Sequence, residues 1–274
     1  VGYKKPHLPF IAPKKYWDMY DPKSIPDSMV NKPLTDIPEY SMANFGELRK
    51  YDGIPETGPV SDEQRKVLQL GYRACVSSID AQIGRLLDEL KSNGLDRNTV
   101  IVLWGDHGWK LNDYGSWCKH SNMEIDTRVP LILSVPGKEG GQRSDALVEL
   151  VDLYPTLTEL CGLKTPEQCE GNSMVPLLDD PKRSWKQAAF SQYPRGEKMG
   201  HSIRAGQWRY TEWIERESGK IVDRELFDHQ NGPLATKNLA ESPKHKPIVE
   251  ELSALIDKGK GWKTVKQALQ NELR

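Results

Sequence analysis

The sequence predicts an α/β domain followed by a smaller antiparallel sheet. Thr99 to Trp104 is β-branched and apolar without alternation, which is typical of a strand buried on both faces. A long stretch with helical spacing precedes it from Ser61, so the two form an αβ unit. After about residue 180, short strand-like segments replace the helical pattern. We therefore place the α/β domain at residues 1–180 and a small α+β subdomain at 181–274.

The composition narrows the class of protein. Charged residues make up 28% of the 274 positions, and the formal net charge is −1, so nothing favours nucleic acid as a partner. No apolar run reaches the ~18 residues of a membrane-spanning helix. The chain begins at Val1 without a visible signal peptide, so we expect a processed or truncated chain. We expect an exported protein, periplasmic, extracellular or lysosomal, although the missing signal is no evidence on this point.

The first half of the chain changes character at Ser61. The sixty residues before it are rich in proline and contain one short predicted helix, Lys14 to Tyr20, so we expect little regular structure there. Ser61 and Gln64 form a helix-start signature, and Gly94 supplies the stop. Apolar residues recur at helical spacing between them, which predicts one long helix.

Further elements follow the strand that begins at Thr99. Val129 to Val135 is a second apolar strand, and Leu147 to Leu160 is a helix in which Pro155 introduces a kink or marks a new start. A small antiparallel sheet is predicted from four short segments, 187–192, 201–204, 208–213 and 225–227. Closing helices are predicted at 247–255 and 265–269.

The four cysteines, Cys75, Cys118, Cys161 and Cys169, include no CxxC pair. This spacing argues against a zinc ribbon and against a thioredoxin-like motif. Cys161 and Cys169 are close enough in sequence to close a small loop. A disulfide there and two free thiols are equally compatible with the sequence.

Asp106 and His107 stand at the carboxyl end of the predicted strand. Ligands bind at this end of the strands in open α/β sheets. A hard divalent cation prefers carboxylate oxygen, and an imidazole can complete its shell. We interpret Asp106 and His107 as candidate metal ligands. The alternative is an aspartate that caps the next element, beside a surface histidine.

Two further side chains are candidates for binding an anionic ester. Lys119 follows Trp117 and Cys118, which favour burial, so its ammonium can bind an anion or protonate a leaving oxygen. A snorkelling surface lysine is an equal alternative. His7 lies between two prolines, which stiffen the backbone and present the imidazole as a proton donor or anion ligand. The alternative is a loop histidine that caps a neighbour.

The remaining polar candidates are weaker. Arg195, in the segment SQYPR, has the fork geometry that suits a carboxylate or a sulfate, but a structural ion pair explains it equally well. His120 is predicted to be structural. Asp179 and Asp180 resemble metal ligands, but the turn-like residues after them predict a loop.

Several motifs occur in a fixed order along the chain. They are KKPHLPF, LWGDHGWKL, GSWCKHSN, VPLILSVPG, VELVDLYPTLTELCGL, SQYPR, and HSIRAGQWRYTEW with ELFDH. Together they resemble the sulfatases, and most closely the iduronate-2-sulfatase branch. The resemblance runs from Val1 to at least His229, and the ordered set is far more specific than any one motif.

The resemblance implies an alkaline-phosphatase-like α/β fold with a smaller C-terminal antiparallel sheet. It also implies hydrolysis of sulfate esters with a bound calcium ion and a formylglycine nucleophile, made from the first residue of a C/S-x-P-x-R motif. Asp106 and His107 match metal ligands of the family. Lys119 and His7 match residues that contact the sulfate group, so we assign both a catalytic and a substrate-binding role. Arg195 is assigned to substrate binding.

The chain departs from the family pattern in three places. None of its cysteines lies in a C/S-x-P-x-R motif, and the family's strand-end aspartate pair is also missing. We therefore expect a missing N-terminal portion of the same enzyme to supply the nucleophile and the other metal ligands, and this chain alone to be inactive. Asn112 to Tyr114 stands where relatives tend to carry Gly-Glu-His, which bears on substrate preference.

The expected substrate is a sulfated sugar or polysaccharide, with 2-O-sulfated iduronate as the favoured guess. Two other functions fit the residues. One is a phosphate or phosphonate ester hydrolase on the same fold. The other is a non-catalytic half or degenerate relative that binds anionic sugars.

Overall fold

The computed structural model describes residues 1–26, 32–232 and 234–259. The helices are α1 (Lys14–Trp17), α2 (Asp62–Ser92), α3 (Glu124–Thr127), α4 (Leu153–Leu160), α5 (Val175–Asp179) and α6 (Lys246–Gly259). The strands are β1 (Ile101–Trp104), β2 (Lys110–Leu111), β3 (Trp117–Cys118), β4 (Leu131–Ser134), β5 (Ala188–Arg195), β6 (Lys198–Ala205), β7 (Trp208–Glu215) and β8 (Ile221–Asp228). The predicted helix at 265–269 lies outside the described residues.

The chain divides into two compact units whose segments alternate along the sequence. The first comprises Val1–Pro33, Met42–Thr99 and Gly108–Lys119. The second comprises Leu34–Ser41, Val100–His107 and His120–Arg274. The boundary that the sequence predicts at residue 180 stays a prediction.

The first unit is organised around the long helix α2. The Ser61 side chain accepts a hydrogen bond from the Gln64 backbone, and the Gln64 side chain accepts one from the Ser61 backbone, which confirms the predicted helix start. Gly71 lets α1 approach closely, because a Cβ there would lie 2.7 Å from the Trp17 ring. As predicted, the described part of the proline-rich opening, residues 1–26 and 32–60, has little regular structure beyond α1 and short 3₁₀ turns.

A compact apolar cluster, which we call the loop core, anchors the loops of this unit. Its buried members are Leu8, Phe45, Leu48, Trp117 and Cys118. Leu48, Trp117 and Cys118 are each only 1% exposed. The hairpin β2–β3 contributes two of these residues, with Leu111 opposite Trp117 and Lys110 opposite Cys118. The loop core therefore joins segments that are far apart in sequence.

The second unit contains a four-stranded antiparallel sheet in the order β5-β6-β7-β8, as predicted. One face packs on α6 through a core that includes Ile203, Tyr210, Leu226, Leu252 and Ile256. The short strand-like segments of the sequence therefore form one sheet that a helix covers on one side. All four strands are longer than the predicted segments.

A separate two-stranded antiparallel sheet pairs β1 with β4, with Ile101 opposite Ser134 and Trp104 opposite Leu131. The prediction of a strand buried on both faces is wrong for β1. Its residues are half-buried, and Trp104 is 52% exposed. Burial of a strand's two faces depends on the layers packed against them, so an unbroken apolar run does not by itself guarantee burial.

Two further expectations need correction in this unit. The helix predicted from Leu147 begins only at Leu153, after a 3₁₀ turn at Leu150–Asp152, so Pro155 falls in the first helical turn, where its missing N–H breaks no bond. Asp179 was predicted to lie in a loop but ends α5, because Pro176 near the start of that helix favours a helical turn. Its carboxylate pairs with Lys138.

Glu225 on β8 is a buried carboxyl group in the sheet. The Trp213 indole donates to Glu225 Oε2 at 3.1 Å. Burial raises the pKa of Glu225 from 4.5 to about 7, with Asp223 adding to the rise and Arg195 opposing it. The folded state therefore favours the protonated carboxyl.

This environment predicts a pH-dependent stability. The stabilisation from protonated Glu225 is complete below about pH 4.5 and is lost as the pH rises through 7. We expect the free energy of unfolding of Glu225→Gln to rise relative to that of the wild type as the pH increases from 5 to 8. Urea unfolding midpoints of both proteins at pH 5, 6.5 and 8 measure this difference. A difference that stays constant over that range would contradict the assignment.

Candidate active site

The loop that carries Lys119 is held in an unusual backbone conformation. Four of its non-glycine residues have positive φ: Asn112 at 79°, Tyr114 at 58°, Cys118 at 65° and His120 at 82°. Residues with a Cβ rarely adopt a positive φ, and such backbone strain clusters at functional sites. The strands β2 and β3 and the burial of Trp117 and Cys118 hold the loop in place. As predicted, Lys119 therefore does not belong to an ordinary solvated stretch.

The structure brings His7 and Lys119 together within the first unit. Lys119 Nζ lies 2.6 Å from His7 Nε2. His7 Nδ1 lies 2.8 Å from the Leu8 carbonyl oxygen, so in the neutral ring Nδ1 carries the proton and Nε2 accepts from the lysine. The contact joins residues 112 positions apart. The fold of the chain, and not closeness in sequence, therefore brings together the two side chains that are predicted to contact sulfate.

Glu47 completes this cluster, and sequence reasoning did not find it. Its Oε1 lies 2.9 Å from Lys119 Nζ and 2.8 Å from His7 Nε2. The side chains of Lys119, Glu47 and His7 are 14%, 24% and 32% exposed. We call these three residues the anion triad. Glu47 lies in the proline-rich opening with no motif around it, so no signal in the sequence marks it.

Trp109 forms one wall of the anion triad. Lys119 Nζ lies 4.8 Å from the centre of its ring, and the His7 ring meets it edge-on at 5.2 Å. Such cation–π contacts are worth about 0.5–2 kcal/mol, more when water is excluded. The apolar wall also strengthens electrostatic interactions within the triad.

Asp106 and His107 lie in the second unit, directly after β1. The Gly105 amide donates to the Pro130 carbonyl at 3.1 Å, which continues the β1–β4 pairing to the edge of the turn. The His107 amide donates to Asp106 Oδ1 at 3.0 Å, and His107 Nε2 lies 3.5 Å from Asp106 Oδ2. The Asp106 side chain is 84% exposed, so its carboxylate is open to a ligand.

These two side chains fit part of a calcium site. A carboxylate oxygen is the ligand that calcium prefers, and calcium takes six to eight donors in all. Among the described residues, no three His, Cys, Asp or Glu side chains gather as a metal shell. Asp106 and His107 alone supply fewer donors than calcium takes, and their assignment as metal ligands stays a prediction.

Arg195 makes contacts of a structural kind. Its Nε donates to the Tyr40 carbonyl at 2.8 Å, a second nitrogen donates to the His120 carbonyl, and the guanidinium lies over the Tyr193 ring at 4.6 Å. The Tyr193 hydroxyl lies 2.8 Å from His120 Nδ1, and the structural role of His120 stays a prediction. Substrate binding by Arg195 stays a prediction.

All four cysteines are free thiols in the structure. Burial raises the pKa of the Cys118 thiol to about 12, with Glu47 adding to the rise, so this neighbour of Lys119 is not an activated nucleophile. Burial also raises the pKa of Cys75. Cys161 is exposed.

Comparison with protein families shows which class these features define. The sulfatase family model matches residues 2–163, and the model for the C-terminal region of N-sulphoglucosamine sulphohydrolase matches residues 107–260. The chain belongs to the sulfatase family. Among the described residues, no helix is both long and apolar enough to cross a membrane.

Individual relatives cover several kinds of sulfatase. A sulfatase of Formosa agariphila is 33% identical over 261 residues, which are 94% of this chain and 49% of the relative. Iduronate 2-sulfatase of Homo sapiens is 33% identical over 285 residues, covering 78% and 51%. Choline-sulfatase of Rhizobium meliloti is 28% identical, covering 94% and 49%. The chain spans about half the length of the curated relatives it matches.

Solved structures confirm the alkaline-phosphatase-like sulfatase fold. Phosphonate monoester hydrolase SpPMH from Silicibacter pomeroyi superposes with a TM-score of 0.77 at 27% identity, over 94% of this chain and 54% of that one. A protein solved with its substrate D-glucosamine-2-N,6-O-disulfate superposes with a TM-score of 0.67 at 26% identity, covering 81% and 45%.

Proposed function

We propose that the protein to which this chain belongs hydrolyses sulfate esters, and that His7 and Lys119 bind the sulfuryl group. The observation that carries the proposal is the 2.6 Å contact between these two side chains. They were predicted from two separate motifs of the sulfatase family, and they meet at a partly buried position beside Trp109. Membership of the sulfatase family supports the reaction type.

The chemistry assigned to the triad follows from its donors. The Lys119 ammonium stabilises negative charge as it grows on the sulfuryl oxygens, which is an electrostatic role. It already donates towards His7 Nε2, so a proton can reach the departing sugar oxygen from the lysine directly or through the imidazole. Both groups are held before substrate arrives, which reduces reorganisation during the reaction.

Calcium and formylglycine are part of the proposal. Asp106 and His107 would hold the calcium ion, whose positive charge stabilises anionic oxygens. The nucleophile and the other ligands would come from residues that are not in this sequence, as a missing N-terminal portion of the same enzyme. Two observations support this: the relatives are about twice as long, and the four thiols here lie outside any C/S-x-P-x-R motif.

The proposed substrate class is a sulfated sugar or polysaccharide. Similarity to an iduronate 2-sulfatase supports it, as does similarity to the protein solved with a disulfated glucosamine. A sulfated glycan that contains a uronate is the first substrate to test. Such a substrate is consistent with an exported protein.

A panel of esters assayed with the whole protein tests the reaction type. We expect turnover of 4-nitrophenyl sulfate and release of sulfate from disulfated heparin disaccharides, with much weaker turnover of 4-nitrophenyl phosphate. This chain on its own should give no turnover above background. Activity of the isolated chain would mean that it contains an unrecognised nucleophile.

Phosphonate ester hydrolysis is the second candidate, because the phosphonate monoester hydrolase SpPMH superposes over 94% of the chain. The two functions differ in the preferred ester. A kcat/KM for 4-nitrophenyl phenylphosphonate above that for the sulfate ester would favour this candidate.

The metal assignment leads to a separate prediction for Asp106→Ala. Loss of outer-shell partners alone typically costs ~10–100-fold in metal affinity, so loss of a direct ligand should weaken calcium binding by at least ~10-fold. Calcium content by atomic emission and turnover by the whole protein should fall together. Asp96→Ala, at an exposed 3₁₀ turn, is the control. Normal metal content and turnover in both Asp106→Ala and His107→Ala would contradict the assignment.

A further inference from the structure

Glu47 has no role in the function proposed above, yet it contacts both side chains assigned to the sulfuryl group. Its Oε1 lies 2.9 Å from Lys119 Nζ and 2.8 Å from His7 Nε2. A carboxylate repels a sulfate ester, so it is an unexpected neighbour for a substrate-binding pair. Its position calls for a physical explanation.

The loop core explains how the three side chains are held. His7 immediately precedes Leu8, Glu47 immediately precedes Leu48, and Lys119 immediately follows Cys118. Those three neighbours are buried members of one apolar cluster, at 3%, 1% and 1% exposure. Each member of the triad is therefore one residue from the same packed cluster. The backbone positions are fixed by packing, and only the side-chain ends remain to be oriented.

Glu47 can supply that orientation. A lysine side chain has several rotatable bonds, so a lysine with no partner would sample many positions. The carboxylate gives the ammonium a charge-assisted hydrogen bond next to the one that it makes to His7 Nε2. Arg49 and Phe45 support this turn, since the guanidinium lies 3.7 Å from the centre of the Phe45 ring and donates to the Asn44 carbonyl at 3.0 Å.

The carboxylate also sets the charge of the site. With a neutral imidazole, the Lys119 ammonium and the Glu47 carboxylate sum to zero. The Glu47 carboxylate therefore offsets the charge of the Lys119 ammonium until an anion arrives. The same carboxylate opposes tight binding of a free anion, which favours release of the sulfate product.

We propose that Glu47 is a positioning residue: it orients Lys119, and through Lys119 the His7 ring, for the sulfuryl group, and it weakens the binding of free sulfate at the site. This inference rests on the proposed function. It assigns Glu47 no contact with the substrate. It predicts opposite effects on rate and on anion affinity when the charge is removed, which loss of packing alone would not produce.

The test compares Glu47→Gln and Glu47→Asp in the whole protein. For Glu47→Gln we expect kcat for 4-nitrophenyl sulfate to fall at least tenfold, while inorganic sulfate binds about three- to tenfold more tightly, the size expected for removing one nearby negative charge. Glu47→Asp keeps the charge and should recover most of the loss in kcat. Glu56→Gln, an exposed neutralisation in the same segment, is the matched control and should change neither.

A second measurement is independent of catalysis. The Lys119 ammonium should give a slowly exchanging ¹⁵Nζ NMR signal in the wild type, and that signal should disappear in Glu47→Gln while the melting temperature stays within a few degrees. If the wild type hydrolyses no sulfate ester, the proposed function fails, and the NMR comparison alone decides the role of Glu47. A kcat for Glu47→Gln within twofold of an active wild type would overturn the inference. An unchanged Lys119 signal in that variant would also overturn it.

Discussion

Replacing Lys119 by methionine should lower kcat/KM for sulfate esters about a thousandfold in the whole protein. A single oxyanion donor typically contributes ~10²–10³ to the rate, and proton donation adds to this. The substitution also leaves the Glu47 carboxylate without the ammonium 2.9 Å away, so this carboxylate repels the anionic substrate. Steady-state kinetics with 4-nitrophenyl sulfate measure the loss.

The fold should survive this change, because methionine retains the length and the apolar stem of lysine. Lys14→Met is the matched control, since that lysine is 86% exposed and forms an ion pair with Asp18, its neighbour one helical turn away. We expect the control to keep wild-type kinetics. A kcat/KM for Lys119→Met within tenfold of the wild-type value would contradict the catalytic role assigned to Lys119.

The second large effect concerns stability. Arg209 on β7 is buried and donates to Glu124 Oε2 from Nε at 2.9 Å and from a terminal nitrogen at 2.7 Å. Arg204 lies 3.2 Å from the same oxygen. Burial opposes ionisation of Glu124, but Arg209 outweighs it and holds the pKa of the carboxyl below its usual value. The pair links α3 to the antiparallel sheet.

We expect Arg209→Met to lower the free energy of unfolding by about 3–5 kcal/mol, because it leaves a buried carboxylate with half of its compensation. The double variant Arg209→Met/Glu124→Leu should be clearly more stable than the single variant, since it removes the stranded charge as well. Urea unfolding provides the comparison. The exposed Arg143→Met serves as a control, and equal costs for the two arginine variants would show that the buried pair contributes nothing.

The fold was predictable wherever the signal is local. Ser61 and Gln64 predict the start of α2. Short strand-like segments joined by turn residues predict the antiparallel sheet. The surroundings of β1 were not predictable from its own residues, because they depend on which distant segments pair with the strand and pack on its faces. Val102 lies opposite Leu133, about thirty positions away, and no local pattern specifies that partner.

The candidate site divides in the same way. His7 and Lys119 carry motif signals, and the structure adds their 2.6 Å contact. Glu47 carries none, because a single acid in a proline-rich stretch has many explanations in sequence. Its partners lie 40 and 72 positions away and meet it only through packing of the loop core.

The contrast between the exposed and the buried thiols has a practical consequence. A maleimide dye should label Cys161 in the native protein while sparing Cys118, whose sulfur is shielded and protonated at neutral pH. Labelling of Cys118 under mild denaturant would then report opening of the packing around its neighbour Lys119. The extent of Cys118 labelling, measured by mass spectrometry, thus reports without any substrate whether the packing around the anion triad is intact.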